Sequence, residues 1–213
     1  MRRISYILLF VTLITGCSQL KPNPAPGPEM ETETELADYV NVGGKHYIHA
    51  WELAVANNSQ ISEIGKVESG SVIPEGTPVY KIAGYPEQYV IAVKSDKNSG
   101  VLTNFSGFLV YVLNGEDGRA HYPKIDDQQI KQIKIYNGST LLQELKGEDV
   151  HSFLVLFNQE GSKFPSENGP EYTVLFIGDD SLGHNYGIYE KDGHLGIAHS
   201  ESKLPDEIMH FFK

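Results

Sequence analysis

Two stretches of the chain, residues 89–93 (YVIAV) and 108–113 (FLVYVL), are apolar at every position, and both are short. Side chains along a strand alternate between two faces, so an unbroken apolar run of this length reads as a strand covered on both faces. Turn chemistry bounds them: Gly84-Tyr85-Pro86 comes before the first, and Asn114-Gly115 stops the second. These two strands set the frame for the rest.

Residues 39–42 and 45–48 flank Gly43-Gly44, the signature of a tight hairpin whose turn needs positive φ. Residues 64–67 form a short strand, and 77–82 another, with Pro78 marking its start or a sheet edge. Ile130, Ile133 and Ile135 lie in a strand that ends at Asn137-Gly138. Val150, Phe153, Leu154 and Phe157 then fall at helical spacing, with Glu148 and Asp149 placed to complement the dipole of a helix over 147–159. Strands are expected at 172–177, 186–190 and 195–199, the last two joined by Asp192-Gly193. Pro205 opens a final helix in which Ile208, Phe211 and Phe212 share a face. The fold class is α+β: mostly antiparallel β-sheet with two or three short helices. The pattern changes near residue 126. A β-rich subdomain over 38–125 and an α+β subdomain over 126–213 is one organisation and a single domain is the other; roughly 200 residues admit both. No internal repeat appears.

The N-terminus is of another kind. Arg2 and Arg3 precede an uncharged, mostly apolar stretch over 4–14, followed by Thr15, Gly16 and Cys17. This has the length of a signal-peptide core and is too short for a spanning helix, which needs roughly 20 apolar residues. Leu13-Ile14-Thr15-Gly16-Cys17 resembles the lipobox of bacterial lipoproteins, with Ile14 where the family favours leucine. The resemblance implies a signal peptide over 1–16, cleavage before Cys17, and a diacylglyceryl group on the Cys17 thiol. It also implies an extracytoplasmic domain held at the cell membrane by its acyl chains. Each buried lipid methylene contributes about 0.8 kcal/mol, so two chains or more anchor stably. Cys17 is the chain's one cysteine, so no intramolecular disulfide forms, and lipidation of its thiol, as the resemblance implies, excludes a thiol mechanism.

Residues 17–37 read as a tether. Pro22, Pro24, Pro26 and Pro28 favour an extended backbone, and Glu29, Glu31, Glu33 and Glu35 follow without apolar periodicity. Extended, it reaches roughly 60 Å at about 3.1 Å per residue. Removing 1–16 takes away Arg2 and Arg3 and no carboxylate, so the formal charge of −11 becomes −13. That charge argues against nucleic acid as a partner and repels anionic headgroups.

A second resemblance rests on Gly76-Thr77-Pro78-Val79-Tyr80-Lys81-Ile82-Ala83-Gly84-Tyr85, on the strand over 89–93, and on the preceding Gly44-Lys45-His46-Tyr47. These are similar to a segment of uncharacterised secreted lipoproteins of Bacillus-type Gram-positive bacteria. The resemblance implies a surface address and a β fold for 39–95, and carries no activity and no functional residues.

The motifs for chemistry are sparse. His46 and His49 form an H-x-x-H, which on a helix would share a face and suit a metal. On a strand after the hairpin, residues three apart point to opposite faces, and no acidic residue lies between them. Asp179, Asp180, His184, Asp192 and His194 are close in sequence and are ligand types for a divalent cation, but Asp179-Asp180-Ser181-Leu182-Gly183 and Asp192-Gly193 are also ordinary turn chemistry. There is no G-x-S-x-G elbow and no phosphate-cradling glycine loop. No catalytic residue, metal ligand or cofactor is therefore assigned; the one assigned site is lipid attachment at Cys17. Trp51, Tyr39, Tyr47, Tyr80, Tyr85 and Tyr89 form a carbohydrate- or peptide-binding face if exposed, and complete a small β-core if buried. The expected function is a membrane-anchored, non-enzymatic binding or accessory domain with an envelope protein as a possible partner. The alternatives are a small-molecule or ion receptor and a surface hydrolase without a recognised motif.

Overall fold

The computed structural model describes residues 38–56, 60–95, 107–124, 129–159, 161–165, 169–198 and 202–213. Residues 1–37, where the signal peptide, the lipidated Cys17 and the tether are expected, lie outside the described residues. The fold is α+β and mainly antiparallel sheet.

The hairpin forms around Gly43-Gly44. Strands β1 (Tyr39–Val42) and β2 (Lys45–His49) pair across the two glycines, whose φ angles of 58° and 69° are left-handed. A distant carboxylate fixes this turn: Glu68 accepts from the Gly43 N–H at 3.0 Å and the Gly44 N–H at 3.2 Å. β3 (Leu53–Val55) leaves for the second sheet. β4 (Ile61–Lys66), β5 (Ser69–Gly70), β6 (Pro78–Ile82), β7 (Val90–Lys94) and β8 (Phe108–Leu113) complete the first. Its order is β4-β6-β7-β8-β2-β1-β5.

The two ends of that order are neighbours in sequence. Only Val67 and Glu68 separate β4, which pairs with β6, from β5, which pairs with β1. The Val67 N–H donates to the Thr77 carbonyl at 2.9 Å, and the next one, of Glu68, donates to Asn41 at 2.9 Å. The sheet thus closes into a barrel. A register shift between Glu63 and Gly65 supplies the bend that closure needs. Inside are Val40, Tyr47, Val67, Val79, Ile91, Val93, Leu109 and Tyr111. Outside, Val90, Ala92, Val110 and Val112 are covered as well. Residues 90–93 are at most 1% exposed, the double burial expected of this run.

After helix α1 (Glu116–Ala120), strands β9 (Gln132–Asn137), β10 (Thr140–Lys146), β11 (Tyr172–Ile177), β12 (Leu182–Lys191), β13 (His194–Ile197) and β14 (Ser202–Lys203) form an open sheet. Its order is β10-β9-β11-β12-β13-β14, with β3 on the first part of β12. Helix α2 (Glu148–Phe157) covers one face, together with a terminal helix (Asp206–Phe212). Phe153 is the hub: its ring centre lies 5.2 Å from Phe211, 5.7 Å from Phe157 and 6.1 Å from Phe176. The terminal helix is 3₁₀. Three residues per turn stack Ile208 directly under Phe211, and both are buried.

The sheets meet where Leu53, Val55 and Leu182 pack on the outer barrel face. There Ser181, 3% exposed, donates to the Ala83 carbonyl at 2.8 Å and lies against the Gln60 amide. Among the described residues no helix is long and apolar enough to cross a membrane.

Candidate functional site

Where β2 leaves the barrel, the chain makes one tight turn. The Ala50 N–H still bonds to the Val110 carbonyl, at 2.9 Å, and the Leu53 N–H closes the turn onto Ala50 at 2.9 Å. Between them, Trp51 and Glu52 bulge outward. One residue of the second sheet grips both of their carbonyls: the Asn185 backbone N–H donates to Glu52 at 2.8 Å, and its Nδ2 donates to Trp51 at 3.0 Å. The backbone of this turn is therefore rigid, while the indole stays 47% exposed.

The opposite wall comes from the end of β8. Gly115, at φ 108°, turns the chain into α1. Gly118 lets α1 fold back on the strand it has just left: a Cβ there would sit 1.6 Å from the Leu113 carbonyl oxygen. This close approach brings Arg119 and Tyr122 to face the Trp51 turn. Tyr122 donates its hydroxyl to Glu52 in a short hydrogen bond. Burial first, and then the bond to Glu52, raise the Tyr122 phenol far above its ordinary range. His121 stacks flat on Tyr89, ring centres 3.7 Å apart, which secures the end of α1.

Between the walls is a cavity of about 250 Å³, lined chiefly by Ile48, His49, Trp51, Glu52, Arg119 and Tyr122. An apolar cleft with a few convergent polar groups is the usual form of a ligand site. A larger hollow of about 400 Å³, between Val72, Pro74, Thr77 and Lys94, has no aromatic ring in its lining.

His49 links the cleft to the buried end of the barrel. Its Nδ1 lies 4.0 Å from Asp38 Oδ2, and its ring packs on Tyr111. Asp38 also accepts from Tyr111 at 2.8 Å and from Ser71 at 2.9 Å. Burial lowers the His49 pKa more than Asp38 and Glu52 raise it, so the ring is neutral near pH 7. Serine, histidine and aspartate meet here, but Ser71 bonds to the carboxylate and not to the histidine. A hydrolytic triad needs the histidine between the other two.

The structure separates the histidines of the H-x-x-H. His46 faces Asn41, with Nδ1 2.9 Å from Oδ1, and His49 faces Asp38 on the other side of β2. The acidic group around 179–194 also parts. Asp179 pairs with Lys131, His184 Nε2 lies 3.3 Å from the Pro123 carbonyl, and His194 bonds to Asp206 at 2.7 Å. Among the described residues no group of three or more His, Cys, Asp or Glu side chains is placed to hold a metal ion. Of the six aromatics weighed as a binding face, Tyr47 is in the barrel core and Trp51 is exposed; the other four are partly buried. Arg119 and Tyr122 were not legible as companions of Trp51 and Glu52, because nothing local marks a contact such as Tyr122 to Glu52 across 70 residues.

No family model, no curated protein and no solved structure matches this chain.

Proposed function

We propose that the chain is an exported lipoprotein, lipidated at Cys17, whose folded domain is a non-enzymatic binding module of the cell envelope with the Trp51 cleft as its binding surface. The observation that carries the binding reading is the half-exposed indole on a rigid turn, at the mouth of a cavity, in a barrel whose other aromatics are buried or partly buried. Leaving a large ring in water has a free-energy cost, and holding it there with both backbone carbonyls bonded points to use. The address rests on Arg2 and Arg3, the apolar stretch and the lipobox-like residues before Cys17. Anchor and cleft are tested together in cells that produce the chain, by fractionation and by capture after crosslinking. Wild type is expected in the membrane fraction, crosslinked to an envelope component. Cys17→Ser is expected to leave that fraction, and Trp51→Ala to stay there without the crosslink. Equal fractionation of wild type and Cys17→Ser contradicts the anchor; an unchanged crosslink in Trp51→Ala contradicts the cleft.

A further inference from the structure

The binding reading of the cleft leaves its ligand class open, and the charges around it narrow that class. Arg119 is exposed on the cleft wall and makes no ion pair or side-chain hydrogen bond with a described residue. The nearby anion, Glu52, is engaged by the Tyr122 hydroxyl. His49 is half-buried, and desolvation lowers its pKa, so it adds no charge near pH 7. In a chain of net charge −11, this leaves on the same cleft as the exposed indole a guanidinium that has no side-chain partner among the described residues.

We propose that the cleft binds a carboxylated sugar, with the ring on Trp51 and the carboxylate on Arg119. This rests on the cleft being the binding surface. A guanidinium offers a planar fork of donors that matches a carboxylate in two parallel bonds. A pyranose offers an apolar C–H face to the indole, and its hydroxyls both donate and accept, as Glu52 and Asn114 at the wall require. A peptide added as an extra strand has no edge to join here, because β2 pairs with both β1 and β8, and β8 with both β2 and β7. The volume, about 250 Å³, suits one ring and not an extended chain.

Trp51 is the chain's one tryptophan, so its emission reports on the cleft directly. The full-length protein in detergent is titrated with three probes: a glucuronate-containing disaccharide, the neutral disaccharide of N-acetylglucosamine, and a tripeptide with a free C-terminal carboxylate. Calorimetry accompanies each titration. The acidic disaccharide is expected to shift the emission saturably and to bind about tenfold or more tighter than the neutral one, with a preference that falls as salt rises. Arg119→Gln removes that preference, and Arg119→Lys keeps part of it. Equal binding of both sugars, unchanged in Arg119→Gln, overturns the proposal and leaves the cleft reading standing. Binding of the tripeptide in place of the acidic sugar overturns the sugar class. No emission change and no heat with any probe overturns the proposal, while the crosslink lost in Trp51→Ala judges the cleft reading separately.

Discussion

The barrel is closed because β4 pairs with β6 and its continuation β5 pairs with β1; in the second sheet, β10 pairs with β9 alone. The two regions are therefore ordered by different means. The barrel's backbone largely determines its own interior. The open sheet depends on side chains brought to it by α2 and by the last helix, gathered around Phe153. The cleft sits on the self-sufficient region, and the other region supplies Asn185 to hold its turn. A rigid scaffold presenting a short loop is a common way to build a recognition surface.

The comparison breaks most readily at Phe153. Phe153→Ala removes the hub of the open sheet and is expected to lower stability by about 3–5 kcal/mol in urea denaturation. A loss under about 1 kcal/mol would show that the aromatic cluster does not hold this region. In the barrel region the sharpest test is Gly118→Ala. The new methyl collides with the Leu113 carbonyl, so α1 must lift. The expected loss is about 1–3 kcal/mol, with a shift in Trp51 emission that Phe153→Ala does not produce in its folded state. Tyr111→Phe is expected to cost about 1–2 kcal/mol, since Asp38 loses a buried donor; an unchanged midpoint would mean that the closed backbone alone orders this end.

The pH dependence should gather where the two regions meet, with one histidine from each. Burial lowers the pKa of His49 and of His184, both beside the cleft turn. As pH falls through the ordinary histidine value of about 6.5, the unfolded chain takes up protons that the native state refuses. Stability contributed by these rings is complete above that pH and declines below it. His49→Gln is expected to flatten the slope between about pH 7 and 5, and a slope unchanged in this variant would remove His49 from the account. The smallest effect belongs to the open edge. Leu142→Thr, at an exposed position of β10, is expected to change stability by less than about 0.5 kcal/mol.

The strands of the barrel were legible where burial is double-sided or a turn needs glycine: residues 90–93, 108–113 and the Gly43-Gly44 hairpin. β10 was not legible, because the register shift between Leu141 and Gln143 breaks its alternation and leaves Leu141 and Leu142 both outside. Barrel closure was also hidden, since it depends on where Val67 and Glu68 find partners and not on their own character. The candidate site was legible only as His49 in an H-x-x-H weighed for a metal and as Trp51 among six aromatics. Which of them stays exposed is decided by the turn that Asn185 holds, from more than 130 residues away in the chain.

The central claim is that recognition belongs to the barrel's cleft and not to the open sheet. It is tested most directly by placing a photo-crosslinking residue at Trp51 in one variant and at Leu141 in another, in cells that produce the full chain. Both positions are exposed to a similar degree, 47% and 46%, so accessibility does not separate them. The account predicts a discrete envelope adduct from position 51 and none from position 141. A discrete adduct from position 141 alone, or the same adduct from both, would contradict it.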